Sequence, residues 1–320
     1  MNWGWTRSGL HILVFLIIIG APSAHATDFA YTTFAVPGAT ATYAYGINES
    51  GAIVGSSVAS NSWVSGFVGD GNTFTTFLAP AAYVNTPGNT AYGINDSGQI
   101  VVNAPNTLGG SENYIYNGTT FSLIGGVLTG NYPAISSVIA RGINNLGQVV
   151  GDVNFVGGGG SGFLNNGGVI SLISAPGASA TRVNGVNDSG QTVGAAFMSG
   201  AYEGFVDTGG TFNVINVPGS SYTLPYGING TGQIVGVTNL SGNEQGFVDI
   251  AGKFSLLSVP GSTWTDAYGI NGKGQIVGSA IISGTSVGFL ATPVPLPATV
   301  WLLASGLVLL VTTARQPRNA

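Results

Sequence analysis

Between residues 29 and 291 the chain is a succession of short apolar and β-branched runs, each closed by Gly, Asn, Asp or Pro. Runs of this kind, punctuated by turn formers, predict β-strands. The pattern is periodic. One decapeptide occurs six times: GINESGAIVG (46–55), GINDSGQIVV (93–102), GINNLGQVVG (142–151), GVNDSGQTVG (185–194), GINGTGQIVG (227–236) and GINGKGQIVG (269–278). Successive starts lie 47, 49, 43, 42 and 42 residues apart, the spacing of a supersecondary unit. Each copy predicts a tight hairpin. An apolar strand enters a turn such as Asn95-Asp96-Ser97-Gly98 and returns as Gln99-Ile100-Val101. Asn can fold its side chain onto the backbone two residues on, and Gly takes positive φ without steric cost. Asn95-Asp96-Ser97 also matches a glycosylation acceptor. Asn144-Asn145-Leu146 keeps the turn and loses the acceptor, which favours the turn reading.

Two further elements share the period. Gly-Phe recurs at 66–67, 162–163, 204–205, 246–247 and 288–289, with Asn113-Tyr114 as the second copy. A turn then leads to a strand that ends in Pro-Gly, as in Phe212 to Val217 and Phe254 to Val259. Each unit therefore predicts four strands: a (YGIN), b (QIVG), c (GF) and d (F-x-x-x-x-V). Four short strands per unit are the mark of a propeller blade. The phase adds a closure. The chain opens with an orphan d strand, Phe29 to Val36, and its last unit stops at strand c, Gly288-Phe289-Leu290. The expected fold is an all-β, six-bladed propeller of four-stranded antiparallel blades, with the N-terminal strand completing the last blade. Such closure removes free sheet edges.

The two ends predict something different. Arg7, an apolar stretch from Leu10 to Ile19 and the small residues Ala24 and Ala26 around His25 predict a signal helix cleaved after Ala26. Ala298 to Ala314 carries no charge and is followed by Arg315 and Arg318, which predicts a C-terminal transmembrane helix with a cytoplasmic end. The expected domains are thus 1–26, 27–293 and 294–320.

Composition narrows the chemistry. The chain has no Cys, and its two histidines, His11 and His25, both lie in the predicted signal segment. Thiolate sites, histidine triads and histidine-bound metals are excluded from the processed protein, and no cofactor or metal is expected. Residues 27–293 hold 12 acidic residues against Arg141, Arg182, Lys253 and Lys273, a net charge of −8, so nucleic acid is not an expected partner.

The repeated G-I-N-x-x-G-Q-I-V-G, G-F and F-x-x-x-x-V-P-G elements resemble the HAF family of extracellular repeats. Gly-Phe or Asn-Tyr stands where that family carries His-Ala-Phe. Val294-Pro295-Leu296-Pro297, the apolar run and Arg315 resemble a PEP-CTERM sorting signal in a V-P-L-P form, with Leu296 in place of Glu. This resemblance implies export across the inner membrane of a Gram-negative bacterium and processing by an exosortase-type protease. It further implies a transient membrane anchor and association with exopolysaccharide or biofilm at the cell surface.

For ligand contact, the b–c and d–a loops share one rim and are expected to be the longer ones. Trp63 is expected in a b–c loop and Trp264 in a d–a loop, each able to stack on a sugar ring. Glu203 and Glu244, expected just before strand c in neighbouring blades, are the carboxylates to weigh for glycoside hydrolysis. The expectation is a non-enzymatic surface or matrix component. A carbohydrate-binding propeller is the alternative and a glycoside-acting hydrolase the more distant one.

Overall fold

The computed structural model describes residues 28–80, 88–105, 111–125, 127–128 and 134–294. Every regular element among them is a β-strand. After β1 (Phe29–Phe34), the strands β2 (Ala39–Ile47), β3 (Ile53–Ala59), β4 (Val64–Gly69) and β5 (Phe74–Phe77) pair in that order into one antiparallel sheet. The next sheet is β6 (Thr90–Ile94), β7 (Ile100–Pro105), β8 (Ser111–Tyr116) and β9 (Phe121–Leu123). A short β10 (Val127–Leu128) precedes β11 (Ile135–Ile143), β12 (Val149–Phe155), β13 (Gly160–Asn166) and β14 (Val169–Ile173). Then come β15 (Ala180–Val186), β16 (Thr192–Met198), β17 (Ala201–Thr208) and β18 (Thr211–Ile215). β19 (Ser220–Ile228), β20 (Ile234–Leu240), β21 (Asn243–Ile250) and β22 (Lys253–Leu257) form a sheet of their own. The last strands are β23 (Ser262–Ile270), β24 (Ile276–Ile282) and β25 (Thr285–Pro293).

β1 pairs antiparallel with β25, with Thr32 opposite Leu290, Thr33 opposite Phe289 and Phe34 opposite Gly288. The first strand thus supplies the fourth member of the last sheet, and Thr27–Val294 forms one compact unit. Six separate four-stranded blades are not what forms. Four sheets are separate, while β10 to β18 make one nine-stranded sheet. The reason is a single contact between two strands. The glycine-rich connection before β13 lets Gly160 approach Ala180, and that single parallel bridge joins β11–β14 to β15–β18. β10 adds a short parallel pairing along β14.

The hairpin turns set the axis. Gly51, Gly98, Gly147, Gly190, Gly232 and Gly274 all have φ between 73° and 87°, the left-handed geometry that the turn requires. The Asn that opens each turn accepts from the turn's own backbone through Oδ1; Asn229 accepts from the Thr231 and Gln233 N–H groups at 3.1 and 2.9 Å. Its Nδ2 donates to the carbonyl of the next Asn. The sequence of donations runs from Asn48 to Asn95, Asn144, Asn187, Asn229 and Asn271, and from Asn271 back to Asn48, at 3.0–3.2 Å. Six turns therefore meet in a closed circle of buried side chains. With the decapeptide strands innermost and the sheets radiating outward, the architecture is an all-β propeller.

Packing between sheets explains the residues that recur. Central strands such as β3 and β20 have both faces covered, so their first five residues are all buried, with no alternation. Phe67, Phe163, Phe205, Phe247 and Phe289 of strand c are 0–3% exposed. Gly55, Gly151, Gly236 and Gly278 of strand b face these rings, and a Cβ there would lie 2.7–2.8 Å from ring carbons of Phe67, Phe163, Phe247 and Phe289. In the second unit Val102 replaces that glycine and faces Tyr114, beside an inner strand of 5 residues where β2 has 9.

The expected signal-cleavage residues Ala24 and Ala26 lie outside the described residues, as do Pro295, Leu296, Pro297 and Arg315. Val294 is described, and its N–H donates to the Asp28 carbonyl at 3.0 Å. Among the described residues no helix is long and apolar enough to cross a membrane; the run from Ala298 to Ala314 is outside them.

Candidate functional site

Each inner strand carries a one-residue β-bulge just before the Gly-Ile-Asn or Gly-Val-Asn sequence. The register slips between Ala44 and Gly46, Ala91 and Gly93, Ala140 and Gly142, Val183 and Gly185, Pro225 and Gly227, and Ala267 and Gly269. The residues left out of the ladder are Tyr45, Tyr92, Arg141, Asn184, Tyr226 and Tyr268. A bulge re-aims its extra side chain, and these six line one axial cavity of about 230 Å³. The glycine after each bulge is needed for close approach around the axis. A Cβ on Gly227 would lie 2.7 Å from the Tyr268 carbonyl oxygen, and one on Gly269 would lie 2.8 Å from that of Tyr45.

The cavity wall is mainly aromatic. Tyr45 packs against Tyr92 and Tyr268 with ring centroids 5.3 and 5.1 Å apart, and Tyr226 packs against Tyr268 at 5.1 Å. Burial raises the hydroxyl pKa of Tyr45, Tyr226 and Tyr268, which keeps all three neutral hydrogen-bonding groups at physiological pH. Arg141 lies 5.6 Å from the centre of the Tyr92 ring, and its Nε donates to Asp152 Oδ1 at 2.5 Å. Asn184 Nδ2 donates to the Pro225 carbonyl at 2.8 Å.

Beside this ring, towards the start of β23, a polar cluster adjoins Tyr268. Asp266 accepts from Trp264 Nε1 at 2.8 Å through one oxygen and from the Tyr268 hydroxyl at 2.9 Å through the other. Glu244 accepts a short hydrogen bond from the Tyr222 hydroxyl. Burial first, and then the charge of Glu244, push Asp266 up to about 6, against the lowering effect of its two donors. Two inner strands away, on β15, Arg182 lies over the Tyr202 ring, 5.1 Å from its centre.

The raised Asp266 pKa has a sign that can be measured. The folded protein holds this proton up to about pH 6, whereas the unfolded chain releases it near pH 4. The folded state binds more protons in that window, so Asp266 makes stability fall as pH rises from 4 to 6. Asp266→Asn is expected to keep the Trp264 hydrogen bond and remove this slope. Its thermal midpoint should exceed that of wild type at pH 7 and match it at pH 4, which thermal melts at both pH values would check.

The structure brings together only part of what the sequence singled out. Trp264 and Glu244 meet around Asp266, a residue the sequence reading passed over. Trp264 is the third residue of β23, within a strand and not a d–a loop. Glu203 and Glu244 likewise lie inside β17 and β21, opposite Ala196 and Asn239. The expected long b–c loops shrink there to Ser199-Gly200 and Ser241-Gly242, with positive φ at all four residues, a tight hairpin turn. Glu203 is exposed on β17. Trp63 does lie in a b–c connection, on the sheet of β2–β5, and is 37% exposed. One cue to the axial ring was available: the residue before Gly-Ile/Val-Asn is Tyr in four copies and Arg141 or Asn184 in the other two, a hydrogen-bonding side chain in every copy.

At the opposite end the turns form an acidic rim. Asn145 Nδ2 bridges Asp96 and Asp188 at 2.8 and 2.9 Å, and Glu49 accepts from the Gly272 N–H. No group of three or more acidic side chains among the described residues is arranged to hold a metal ion.

No family model matches the chain, and no curated protein matches it. Several solved propellers are similar in fold. A catalytically inactive virginiamycin B lyase from Staphylococcus aureus in complex with quinupristin is 11% identical, with 83% of this chain and 100% of that one covered and a TM-score of 0.49. A mutant Aleuria aurantia lectin in complex with alpha-methyl-L-fucoside is 14% identical, with 85% and 96% covered and a TM-score of 0.45. At these values the likeness says nothing of this chain's ligand or chemistry.

Proposed function

We propose that this protein is a non-catalytic binding module of the cell surface or extracellular matrix, which takes saccharide into the tyrosine-lined end of its axial funnel. In this reading β11–β14 and β15–β18 act as two blades, six in all, a count supported by the closed circle of six asparagines. The observation that carries the reading is the ring of six bulge residues, four of them tyrosines, around one cavity. Aromatic faces suit the apolar faces of pyranose rings, and tyrosine hydroxyls, Asn184 and Asp266 can exchange hydrogen bonds with sugar hydroxyls. Binding fits better than catalysis because both Asp266 oxygens already hold Trp264 and Tyr268 in place. Export, exosortase-type processing, a transient membrane anchor and association with exopolysaccharide complete the proposal; they rest on the resemblances of the repeats and of the chain ends.

The test is binding to immobilised oligosaccharides, followed by titration calorimetry with those retained. Tyr226→Ala and Trp264→Ala are expected to weaken binding about tenfold each, the loss of one stacking face. Trp63→Ala, outside the funnel wall, should bind as wild type. Unchanged affinity in both funnel variants would remove the saccharide reading. Release of reducing sugar by the wild type that Glu244→Gln abolishes would overturn its non-catalytic part.

A further inference from the structure

We infer that the funnel selects an acidic saccharide, its carboxylate held by Arg182; the inference rests on the binding reading above. The argument starts from scarcity. Residues 27–293 contain four basic side chains, and both arginines belong to the inner strands β11 and β15. Their surroundings differ. Arg141 is neutralised by Asp152, whose side chain is 3% exposed, and it serves as part of the wall. Arg182 is exposed and makes neither a hydrogen bond nor an ion pair among the described residues; its guanidinium carbon lies over the Tyr202 ring. A guanidinium placed over an aromatic ring and free of acidic partners keeps its N–H donors for a ligand, and a carboxylate can take two of them in parallel.

Arg182 also sits at the right depth. It precedes the ring residue Asn184 by two positions with the buried Val183 between them, as Asp266 precedes Tyr268 across the buried Ala267 and accepts from its hydroxyl. Arg182 on β15 and Asp266 on β23 flank the inner strand β19, so a basic group and an acidic group stand on either side of Tyr226. A hexuronate matches this arrangement: carboxylate to Arg182, ring face to Tyr226, hydroxyls to the Asp266 side. A neutral sugar leaves the Arg182 edges to water. In a protein of net charge −5, an anion gains nothing from the overall field, so selection must come from this one group.

The experiment compares oligogalacturonate with its methyl ester, the same sugar without the charge, by calorimetry on the full chain. Wild type is expected to bind the acid at least fivefold more tightly than the ester, with the difference shrinking as salt rises. Arg182→Gln should bring acid and ester to about equal affinity, with the larger loss on the acid, and Arg182→Lys should restore only part of the preference. Equal binding of acid and ester by wild type, or an Arg182→Gln loss that is the same for both, would overturn the inference and leave saccharide binding standing. If no saccharide of any charge is retained, the binding reading itself fails and this inference with it. Because Arg182 is exposed, an unchanged melting temperature in the variants separates these outcomes from misfolding.

Discussion

Gly278→Ala is expected to destabilise the protein by about 3 kcal/mol or more, seen as a fall in melting temperature of roughly 6–12 °C or as loss of soluble protein. A Cβ at this position would fall on the Asp266 carbonyl oxygen, with the carbonyl carbon 2.9 Å away and the Phe289 ring 2.7 Å away. Neither obstacle can yield. The carbonyl belongs to β23, held along its length by β24, and Phe289 is fully buried. Trimming the ring should therefore not help: Gly278→Ala combined with Phe289→Leu leaves the carbonyl clash in place. Gly230→Ala is the control, since a Cβ there meets nothing within 4 Å. If Gly278→Ala melts with the control, strand b does not require glycine for this contact.

The second large effect is expected at Asn229. Its side chain accepts from Thr231 and Gln233 and donates to Gln233 Oε1 at 2.7 Å and to the Asn271 carbonyl at 3.0 Å, while only 4% exposed. Asn229→Ala strands several of these partners and should cost about 3 kcal/mol. Asn229→Asp separates the two roles. It keeps the acceptor that shapes the turn but points a carboxylate at the Asn271 carbonyl. Its deficit against wild type should grow from pH 4 to pH 7, because only the protonated acid can donate across that gap. Denaturation of both variants at the two pH values measures this. A deficit independent of pH would mean that the link between neighbouring turns contributes little.

How much of this was legible depends on the range of the forces involved. The six turns, their left-handed glycines and the pairing of β1 with β25 follow from local turn chemistry and from the phase of a repeat, both written in consecutive residues. The placement of Glu203, Glu244 and Trp264 was misjudged for a local reason as well: Ser199-Gly200 and Ser241-Gly242 are hairpin dipeptides that draw Glu203 and Glu244 into strands, and the tight turn at Pro260-Gly261 starts β23 at Ser262, before Trp264. The axial ring left only a faint trace, at the residue before Gly-Ile/Val-Asn. A bulge is a mismatch between two strands, so no single strand announces it. The merging of β11–β14 with β15–β18 depends on one approach of Gly160 to Ala180, which no local pattern specifies. Asp266 was overlooked because its importance comes from Glu244 on another sheet.

The six bulges have an evolutionary corollary. A side chain excluded from the ladder is released from the demands of strand pairing, and this position reads Tyr, Tyr, Arg, Asn, Tyr, Tyr beside a glycine that is the same in all six repeats. If the proposed binding reading holds, recognition can be respelled one letter at a time, by exchanging these six residues on an unchanged frame.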